Sequence, residues 1–345
     1  MTAPYDIKAY DRSSLESVLA ESGQPLFRAR QLLRWIWQRR ATSFDGMTDL
    51  PSTLRAALAQ RHVLFWPALV AREVSSDGTR KYLWRLADGA SVESVGIPTR
   101  GRLTVCFSTQ VGCGMGCAFC ATGRGGLVRN LDCGEMAAQV ALVADDFAAR
   151  VTNAVAMGQG EPFVNYDETI RALRILNDPD ALGIGARHLT VSTSGVVPGI
   201  RRFATEPEQF TLAVSLHSAV QSTRDAIMPG LRTYPLSALH EALGDYIAKT
   251  GRRPTLEFAL IDGVNDTPEE TRALIAFCRG LLVHVNLIPV NPVDGTRLRR
   301  SRDATIEAMA SALRAADVEV SVRAERGADI NAACGQLRQR TLREA

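Results

Sequence analysis

Three cysteines lie close together in the sequence VGCGMGCAFCATGRGG, which runs from Val111 to Gly126. Cys113, Cys117 and Cys120 follow a C-x3-C-x2-C spacing. Three thiols in so short a stretch can face one point only if the loop folds back on itself, and the glycines between them permit the backbone angles that this requires. Three thiolates suit an iron–sulfur cluster with three protein-bound irons and one open iron. An open iron can bind a substrate or cofactor, so the pattern predicts chemistry.

Two other interpretations of these cysteines compete with a cluster. Structural zinc normally takes four ligands, and the sequence offers no fourth Cys or His nearby. Three unrelated buried cysteines would explain neither the spacing nor the interleaved glycines. The cluster interpretation is therefore favoured, and the aromatic side chain of Phe119 is expected to shield one side of the cluster.

The part of the chain that must position this loop alternates between short apolar segments and amphipathic ones. Amphipathic helices are expected at Gly134–Ala149, at Leu236–Lys249 and from Thr267 to Gly280, the last opening with a capping box. Such alternation favours parallel βα units, so we expect an open or partial (βα) barrel over residues 101–345, with a doubly wound sheet as the alternative. The strands are predicted at Thr104–Ser108, Asn153–Met157, His188–Thr193, Phe210–Leu216, Thr255–Ile261, Val283–Val290 and Val318–Arg323.

Polar side chains and glycines follow several of these predicted strands. In a parallel barrel the functional groups collect just past the carboxyl ends of the strands. The glycines of Met157–Pro162 would let the backbone approach a ligand, and Glu161 would suit an ammonium group. Hydroxyl, imidazole and amide groups suited to a ribose, an adenine or a carboxylate follow at Ser192–Gly195, Ser215–His217 and Asn291–Pro292. Ordinary strand-end polarity is the alternative at each of these places.

Residues 1–65 are predicted to form a small helical accessory domain. Between Gln24 and Arg61 there are seven basic residues and two acidic ones, together with two tryptophans, Trp35 and Trp37. A basic helical domain with exposed aromatic residues suits RNA binding; the alternative is a solvated helix whose tryptophans fill a small core. Residues 66–100 are predicted to form a linking β-sheet with a hairpin turn at Ser76–Gly78.

The bulk properties of the 345-residue chain narrow its class. Its net charge is only +3, so any surface that binds nucleic acid must be a local patch. No apolar run is long enough to span a membrane, and the N-terminus does not look like a signal peptide. Seven cysteines, three of them clustered, are typical of cofactor chemistry in a reducing compartment. We expect a cytoplasmic monomer without membrane contact.

The cysteine loop resembles that of the radical S-adenosylmethionine (SAM) superfamily, and a larger set of motifs narrows the resemblance. The chain is similar to the RlmN/Cfr group of radical SAM RNA methyltransferases over roughly residues 24–338. The motifs that carry this resemblance, in order along the chain, are TVCFSTQVGCGMGCAFCATG, RNL, MGQGEP, VSTSGVVP, SLH, IMP, VNLIPVNP and RGADINAACGQL. One residue departs from the pattern, because Gln159 stands where the family usually has Met.

The resemblance implies roles for individual residues. Cys334 would carry a methyl group as S-methylcysteine, Cys106 would resolve the intermediate through a transient disulfide with Cys334, and Glu93 would accept a proton. Cys113, Cys117 and Cys120 would bind a 4Fe–4S cluster. SAM would be contacted by Gly160, Glu161, Ser192, Ser215, Leu216, His217 and Asn291.

The activity implied by the resemblance is methylation of adenine carbon 2 in 23S rRNA and in tRNA beside the anticodon, with two SAM molecules consumed. An electron donor such as flavodoxin or ferredoxin would be needed. Methylation of carbon 8 of the same rRNA base is the closest alternative. A non-catalytic iron–sulfur protein that binds RNA and senses redox state is an alternative of another class, although such a sensor would need neither Cys106, Cys334 nor Glu93.

Overall fold

A computed structural model describes residues 5–290, 297–323, 327 and 330. Its helices are α1 (Arg12–Glu21), α2 (Phe27–Leu33), α3 (Ser52–Arg61), α4 (Cys133–Phe147), α5 (Tyr166–Asn177), α6 (Val197–Phe203), α7 (Gln221–Ile227), α8 (Leu236–Thr250), α9 (Pro268–Cys278) and α10 (Asp303–Ala315). Its strands are β1 (Tyr5–Asp6), β2 (His62–Val63), β3 (Ala68–Val74), β4 (Arg80–Arg85), β5 (Ser91–Thr99), β6 (Arg102–Cys106), β7 (Gln110–Gly112), β8 (Leu127–Asn130), β9 (Asn153–Ala156), β10 (Leu189–Thr193), β11 (Thr211–Ser215), β12 (Thr255–Leu260), β13 (His284–Pro289) and β14 (Glu319–Val322).

Ten of these strands form one mixed sheet in the order β14-β13-β12-β11-β10-β9-β6-β5-β4-β3. Strand β6 and strands β9 to β14 are parallel to one another, with helices between most of them. The predicted parallel βα units are therefore confirmed, and each of the seven predicted core strands is found with its ends shifted by at most two residues. Short apolar segments between amphipathic helices are a strong signal for this class of fold.

Strands β3, β4 and β5 pair antiparallel with one another, and β5 pairs antiparallel with β6. The segment predicted to link the two domains therefore continues the main sheet. The division of the chain at residues 65 and 100 remains a prediction.

Helix α4 defines the outer face of this antiparallel part of the sheet. A Cβ atom at Gly96 would lie 2.4 Å from the ring of Phe147 and 2.8 Å from Val143, so only glycine allows β5 to approach the helix this closely. On the same side, the Tyr82 hydroxyl donates a hydrogen bond of 2.7 Å to Asp146. Residues of β4 to β6 that alternate with Tyr82 and Gly96 therefore face the opposite side, which we call the inner face.

Helix α9 begins as predicted, but its capping box is only half formed. The Thr267 hydroxyl accepts a hydrogen bond from the Glu270 backbone amide, and Pro268 occupies the first helical turn. The buried Glu270 carboxylate does not turn back to the helix end; it accepts a hydrogen bond of 2.8 Å from the Ser218 hydroxyl. This helix therefore anchors the segment that follows β11.

The N-terminal helices pack around a small apolar core, and the expectation of exposed tryptophans is wrong for Trp37, which is 1% exposed. Trp35 is half-buried, with its ring nitrogen 2.5 Å from an Asp49 oxygen and the Arg39 guanidinium over its ring. The helix that carries both tryptophans ends in a π-helical turn over Arg34–Gln38. The alternative that tryptophans fill the core is thus correct for one of the two.

Some of the basic residues of this N-terminal segment hold it against the rest of the chain. Arg34 pairs with Asp180 at 2.7 Å, and Arg12 pairs with Asp178 at 2.5 Å and with Asp180 at 2.7 Å. Arg30 lies 3.4 Å from the same Asp180 carboxylate. These ion pairs stabilise the position of the helices, which is a different role from the predicted contact with RNA phosphate.

Candidate active site

The three clustered cysteines lie in the loop between β7 and β8, which form a short antiparallel hairpin. Gly112 has φ of +78°, and a Cβ there would lie 2.1 Å from the backbone oxygen of Gly126. A side chain is therefore excluded where the hairpin closes. The backbone amide of Cys113 donates a hydrogen bond of 2.9 Å to the same Gly126 oxygen, which fixes the first cysteine at the base of the loop.

The far side of the cysteine loop docks on the segment that follows α7. The Ala118 amide donates to the Ile227 oxygen at 2.9 Å, and the Gly230 amide donates to the Met115 oxygen at 3.1 Å. A Cβ at Gly230 would lie 2.6 Å from that Met115 oxygen, so glycine is needed for this contact. Backbone contacts with two separate parts of the chain therefore hold the loop.

The thiols of the loop interact electrostatically. Burial raises the pKa of Cys113 to about 11, and the neighbouring Cys120 adds to the effect, while a hydrogen bond from the Met115 amide opposes it. Burial also raises the pKa of Cys117 well above its ordinary value, with further contributions from Cys120 and Cys113. The mutual effect shows that the three sulfur atoms share one region, where positive charge on a metal group would stabilise their thiolates.

Within the described ranges, no group of three or more His, Cys, Asp or Glu side chains is arranged to hold a single metal ion. A cluster differs from a single ion, because each thiolate binds a different iron. The donor set of three cysteines in one glycine-rich loop therefore fits a cluster better than an isolated zinc or iron ion.

Phe119 and His217 form one wall of this region, with their rings edge to face and 4.6 Å between centroids. The His217 Nδ1 atom accepts a hydrogen bond of 2.9 Å from the Ala259 amide. Burial lowers the pKa of His217 to about 3, so the ring is neutral near pH 7 and its proton lies on Nε2. Phe119 thus packs against the end of β11, and its expected shielding of one side of the cluster stays a prediction.

Glu161 follows the carboxyl end of β9, and its side chain is already hydrogen-bonded within the protein. Its carboxylate accepts hydrogen bonds from the Ser194 amide at 2.6 Å, the Ser194 hydroxyl at 2.5 Å and the Phe163 amide at 2.9 Å. The side chain is 2% exposed. The carboxylate thus joins the ends of β9 and β10, and a ligand would meet the backbone here rather than the side chain.

The neighbouring Gln159 is buried, and neither atom of its side-chain amide has a hydrogen-bond partner among the residues described. Its backbone is fully used: the amide donates a hydrogen bond of 2.9 Å to the Ser108 hydroxyl oxygen, and the carbonyl oxygen accepts one of 2.8 Å from the Thr109 amide. Unpaired buried amides are uncommon. The residue that departs from the family pattern therefore carries a buried polar group without a hydrogen-bond partner among the residues described.

Strand register brings three of the candidate residues to the inner face of the sheet. Cys106 is opposite Val155, and the same alternation continues through the parallel strands to Ser192 and Ser215. Both serines are half-buried, whereas Leu216 is fully buried and donates its amide to the Glu257 oxygen at 2.9 Å. The strand ends thus present hydroxyl groups inwards and use Leu216 for packing.

Sequence reasoning missed a polar row on the same inner face. Glu257 of β12 accepts a hydrogen bond of 2.7 Å from Asn286 of β13, whose side chain in turn accepts one from Ser321 of β14. Burial raises the pKa of Glu257, while Asn286 and the nearby Arg323 oppose that shift. The signal was present in the sequence, because Glu and Asn interrupt the apolar strands TLEFAL and HVNLIP.

Arg224 of α7 is a second residue that sequence reasoning missed. It is completely buried, and it donates to the Ser194 oxygen at 2.7 Å and to the Leu216 oxygen at 3.3 Å. Burial lowers its pKa to about 10, and the charge of Cys117 acts in the opposite direction. A guanidinium that joins two strand ends therefore lies close enough to Cys117 to act on its charge.

Cys106 and Glu93 lie on the inner face of adjacent strands. Cys106 at the end of β6 is directly opposite Val95 of β5, and Glu93 is two residues from Val95 on the same face. Burial raises the pKa of Cys106 to about 11, while Arg323 and a hydrogen bond from the Met157 amide lower it. The two residues that the resemblance assigned to resolution and proton transfer are thus neighbours.

Two of the predicted site residues, Asn291 and Cys334, lie outside the described residues. The nearest described position before Cys334 is Ile330, and the Gly327 amide donates a hydrogen bond of 3.1 Å to Asp77. Asp77 belongs to the turn between β3 and β4, and hydrogen bonds from Thr79 lower its pKa to about 2. The turn therefore presents a carboxylate to the chain that leads towards Cys334.

Comparisons with known proteins agree with this geometry. Residues 5–64 match the family described as ribosomal RNA large subunit methyltransferase N-terminal domain, and residues 107–275 match the radical SAM superfamily. A crystal structure of a radical SAM methyltransferase from Sphaerobacter thermophilus has a TM-score of 0.90 and 46% identity, covering 96% of this chain and 99% of that chain. This likeness confirms the predicted fold class.

Curated relatives extend the similarity over nearly the whole chain. A probable dual-specificity RNA methyltransferase RlmN from Symbiobacterium thermophilum is 45% identical, covering 96% of this chain and 90% of the relative. One from Geobacillus kaustophilus is 46% identical, covering 96% of this chain and 91% of the relative.

None of the helices in the described ranges is long and apolar enough to cross a membrane.

Proposed function

This chain belongs to the RlmN family of radical SAM RNA methyltransferases, and from that premise we propose that it methylates carbon 2 of an adenosine in 23S rRNA and of an adenosine beside the anticodon in tRNA. Carbon 2 of adenine is electron-poor and its hydrogen is not acidic, so simple nucleophilic methylation cannot work. The proposal therefore combines radical chemistry with a protein thiol that carries the methyl group.

The observation that carries the proposal is the placement of Cys106 and Glu93 on one face of adjacent strands. Transfer through a methyl-carrying thiol needs a base for the ring proton and a second thiol to release the product. Both groups must reach the same attached base, so they must be close to one another. A redox-sensing RNA-binding protein would need neither.

The cofactors of the proposed reaction are a 4Fe–4S cluster and SAM. Cys113, Cys117 and Cys120 would hold the cluster, with Arg224 as a buried cation beside Cys117. Together the two cofactors would supply methyl groups and a carbon-centred radical. The residues proposed to contact SAM are Gly160, Glu161, Ser192, Ser215, Leu216, His217 and Asn291, and for Glu161 the contact would come from the backbone because its carboxylate is already bonded to Ser194 and Phe163.

The remaining steps fall to this chain's own side chains. Cys334 would carry the methyl group and then the RNA, and Glu93 would take the proton from the ring carbon. The Cys106 thiolate would then attack the sulfur of Cys334 to form a disulfide, which breaks the bond from that sulfur to the product's methyl carbon; this carbon keeps the electron pair and takes up a proton. Burial keeps Cys106 protonated in the structure, because its pKa of about 11 is far above neutral pH. Arg323 and the Met157 amide, which both lower that pKa, are the groups that would favour its thiolate when the reaction requires it.

The proposed partners follow from the family. The helical segment of residues 1–65 would bind part of the RNA substrate. A flavodoxin or ferredoxin would supply electrons. We expect a monomer that acts in the cytoplasm, where rRNA and tRNA occur. These assignments rest on family membership and on the basic character of the N-terminal segment.

Mass spectrometry of nucleosides from RNA treated with the reconstituted enzyme tests the proposal. We expect 2-methyladenosine from both 23S rRNA and tRNA fragments, and unmodified adenosine when Cys334→Ala replaces the enzyme. Formation of 8-methyladenosine would instead assign the carbon-8 activity. Tight RNA binding without any methylation by a fully loaded enzyme would favour the redox sensor.

A further inference from the structure

Lys81 of β4 is a buried lysine to which nothing in the proposed reaction assigns a role. Its side chain is 1% exposed, and its Nζ atom lies 3.9 Å from the Oε2 atom of Glu93, whose side chain is 3% exposed. An ammonium and a carboxylate are thus both removed from water and placed in contact. Such burial is costly for each charge alone, so each group stabilises the charged form of the other.

The pairing register shows how Lys81 is aimed. Lys81 is directly opposite Val95 of β5, and Val95 is directly opposite Cys106 of β6. Glu93 is two residues from Val95 along β5, so it lies diagonally opposite both Lys81 and Cys106 on the same inner face. The ammonium therefore approaches Glu93 from β4, whereas Cys106 lies on β6, on the other side of β5.

The charged neighbours of Lys81 come from both adjacent strands. Glu73 of β3 is directly opposite Lys81, so within the described part of the sheet a carboxylate flanks the ammonium on each side. From β6, Cys106 is the titratable group that faces Glu93, and Arg323 after β14 acts on Cys106. One buried cation thus stands between two carboxylates, and only Glu93 is on the side of the resolving thiol.

The use of lysine at this position is informative in a chain that favours arginine. Only three of the 40 basic residues are lysines. Lys8 is 2% exposed and pairs with Asp6 at 2.5 Å, and Lys81 is the other buried member of the set. Two of the three lysines therefore lie where a compact ammonium fits in a closed space beside a carboxylate, for which the broad guanidinium is poorly shaped.

We propose that Lys81 is a positioning residue that keeps Glu93 ionised and holds its carboxylate ready for the ring proton of the attached adenine. This inference rests on the proposed function for the identity of the proton donor. In the step it serves, the ring carbon–hydrogen bond breaks, the proton passes to a Glu93 oxygen, and the bonding electron pair stays with the ring. Lys81 touches neither the substrate nor the proton, and acts through Glu93.

Infrared spectroscopy of the cluster-free protein tests the effect of Lys81 on Glu93 without any turnover. The signal is the stretching band of a protonated carboxyl group that disappears when Glu93→Gln is added, which separates Glu93 from other buried acids. We expect no such band in the wild-type protein at pH 7 and a clear one in Lys81→Met. Glu73→Gln is the matched control and should leave Glu93 ionised, because it removes a different carboxylate beside Lys81.

An unprotonated Glu93 in Lys81→Met would overturn the inference. If that variant does not fold, as judged by its thermal unfolding transition, Lys81→Gln takes its place in the same comparison. A protonated carboxyl in Glu73→Gln as well as in Lys81→Met would also count against a specific role for Lys81.

The pH dependence of single-turnover methylation then connects the inference to the reaction. In Lys81→Met we expect the rate at pH 7 to fall roughly tenfold and to recover at higher pH, because a base that is only about one-tenth ionised at pH 7 regains its ionised form within roughly two further pH units. A uniformly lower rate with the wild-type pH profile would show a merely structural role. If Glu93→Gln methylates normally, the proposed role of Glu93 fails, whereas an inactive Glu93→Gln with an unshifted Lys81→Met overturns only the role of Lys81.

Discussion

The His217 ring nitrogen Nδ1 accepts a hydrogen bond of 2.9 Å from the Ala259 amide, which joins the end of β11 to β12 beneath the cysteine loop. His217 has φ of +55°, a left-handed conformation that few side chains other than Asn adopt readily. Its ring is also packed against Phe119. His217 therefore has a strained backbone and a fixed ring tautomer, and its ring forms part of the wall of the site.

The buried neutral state of His217 predicts how stability depends on pH. Its folded pKa of about 3 is below the unfolded value of 6.5, so the unfolded state binds a proton first as the pH falls. The stability that His217 contributes is fully present above pH 6.5 and is lost as the pH falls towards 3, at ~1.4 kcal/mol per pH unit. His217→Asn, which tolerates the same backbone angles, should show a shallower loss in urea unfolding measured across that range. An unchanged slope would mean that other groups control acid unfolding.

Replacing Cys113, Cys117 and Cys120 together with Ala should abolish cluster binding. The wild-type protein should be brown and oxygen-sensitive, with four irons per chain after reconstitution, whereas the triple variant should be colourless and hold none. Cys278→Ala is the matched control, because Cys278 is buried in α9 away from the loop and should leave the iron content unchanged. Wild-type protein that binds one zinc and no iron would contradict the cluster assignment.

Arg224→Met should weaken retention of the cluster. The change removes a buried positive charge that acts on Cys117 and breaks hydrogen bonds to the Ser194 and Leu216 oxygens. We expect faster loss of visible cluster absorbance on incubation with a chelator, because thiolates without a neighbouring cation are less stable. Arg232→Met, which removes an exposed guanidinium close by in the sequence, should behave like the wild-type protein.

Changing Cys106 should trap the protein with its substrate. Cys106→Ala should still carry the methyl group on Cys334 and still reach the covalent step, but without a second thiol it cannot release the RNA. Protein purified from cells should show a nuclease-sensitive upshift on a denaturing gel. Cys334→Ala and the double variant should show none. A Cys106→Ala protein with fully methylated Cys334 and no attached RNA would show that the resolving role assigned to Cys106 is wrong.

Changing Arg28, Arg30 and Arg34 to Ala should weaken RNA binding and flatten its salt dependence, because fewer counterions are released. The ion pairs of Arg30 and Arg34 with Asp180 call for a control that separates RNA contact from docking of the helices. Asp180→Asn breaks those pairs and keeps the positive charges. If it reduces the salt slope as much as the triple change does, the arginines act by holding the helical segment in place.

Much of this architecture could be predicted because its signals are local. Residues close together in the sequence form these signals: the cysteine spacing, the glycines of the loop, and the alternation of apolar strands with amphipathic helices. The polar residues Glu257 and Asn286 were equally visible as interruptions of apolar strands, and attention to alternation within each strand would have found them.

Other features depend on contacts between distant parts of the chain. No local signal marks Arg224 in a chain with so many arginines, and only the fold reveals that it is buried between two strand ends. Glu161 was expected to offer its carboxylate to a ligand, whereas the proximity of Ser194, 33 positions later, commits it to the protein. The sequence left open whether Trp37 is exposed or fills a small core, and only the packing of the helices shows that it lies in the core.

Strand β6 is the seam of the sheet, since it pairs antiparallel with β5 and parallel with β9. Cys106 faces inwards only because it is opposite Val95; a slip of one residue would put Val105 there and turn the thiol towards α4. This has a consequence for how such proteins can diverge. Residues can be inserted or lost in the turn after Thr99, but within the paired strands such changes must come in even numbers if Cys106 is to keep its direction.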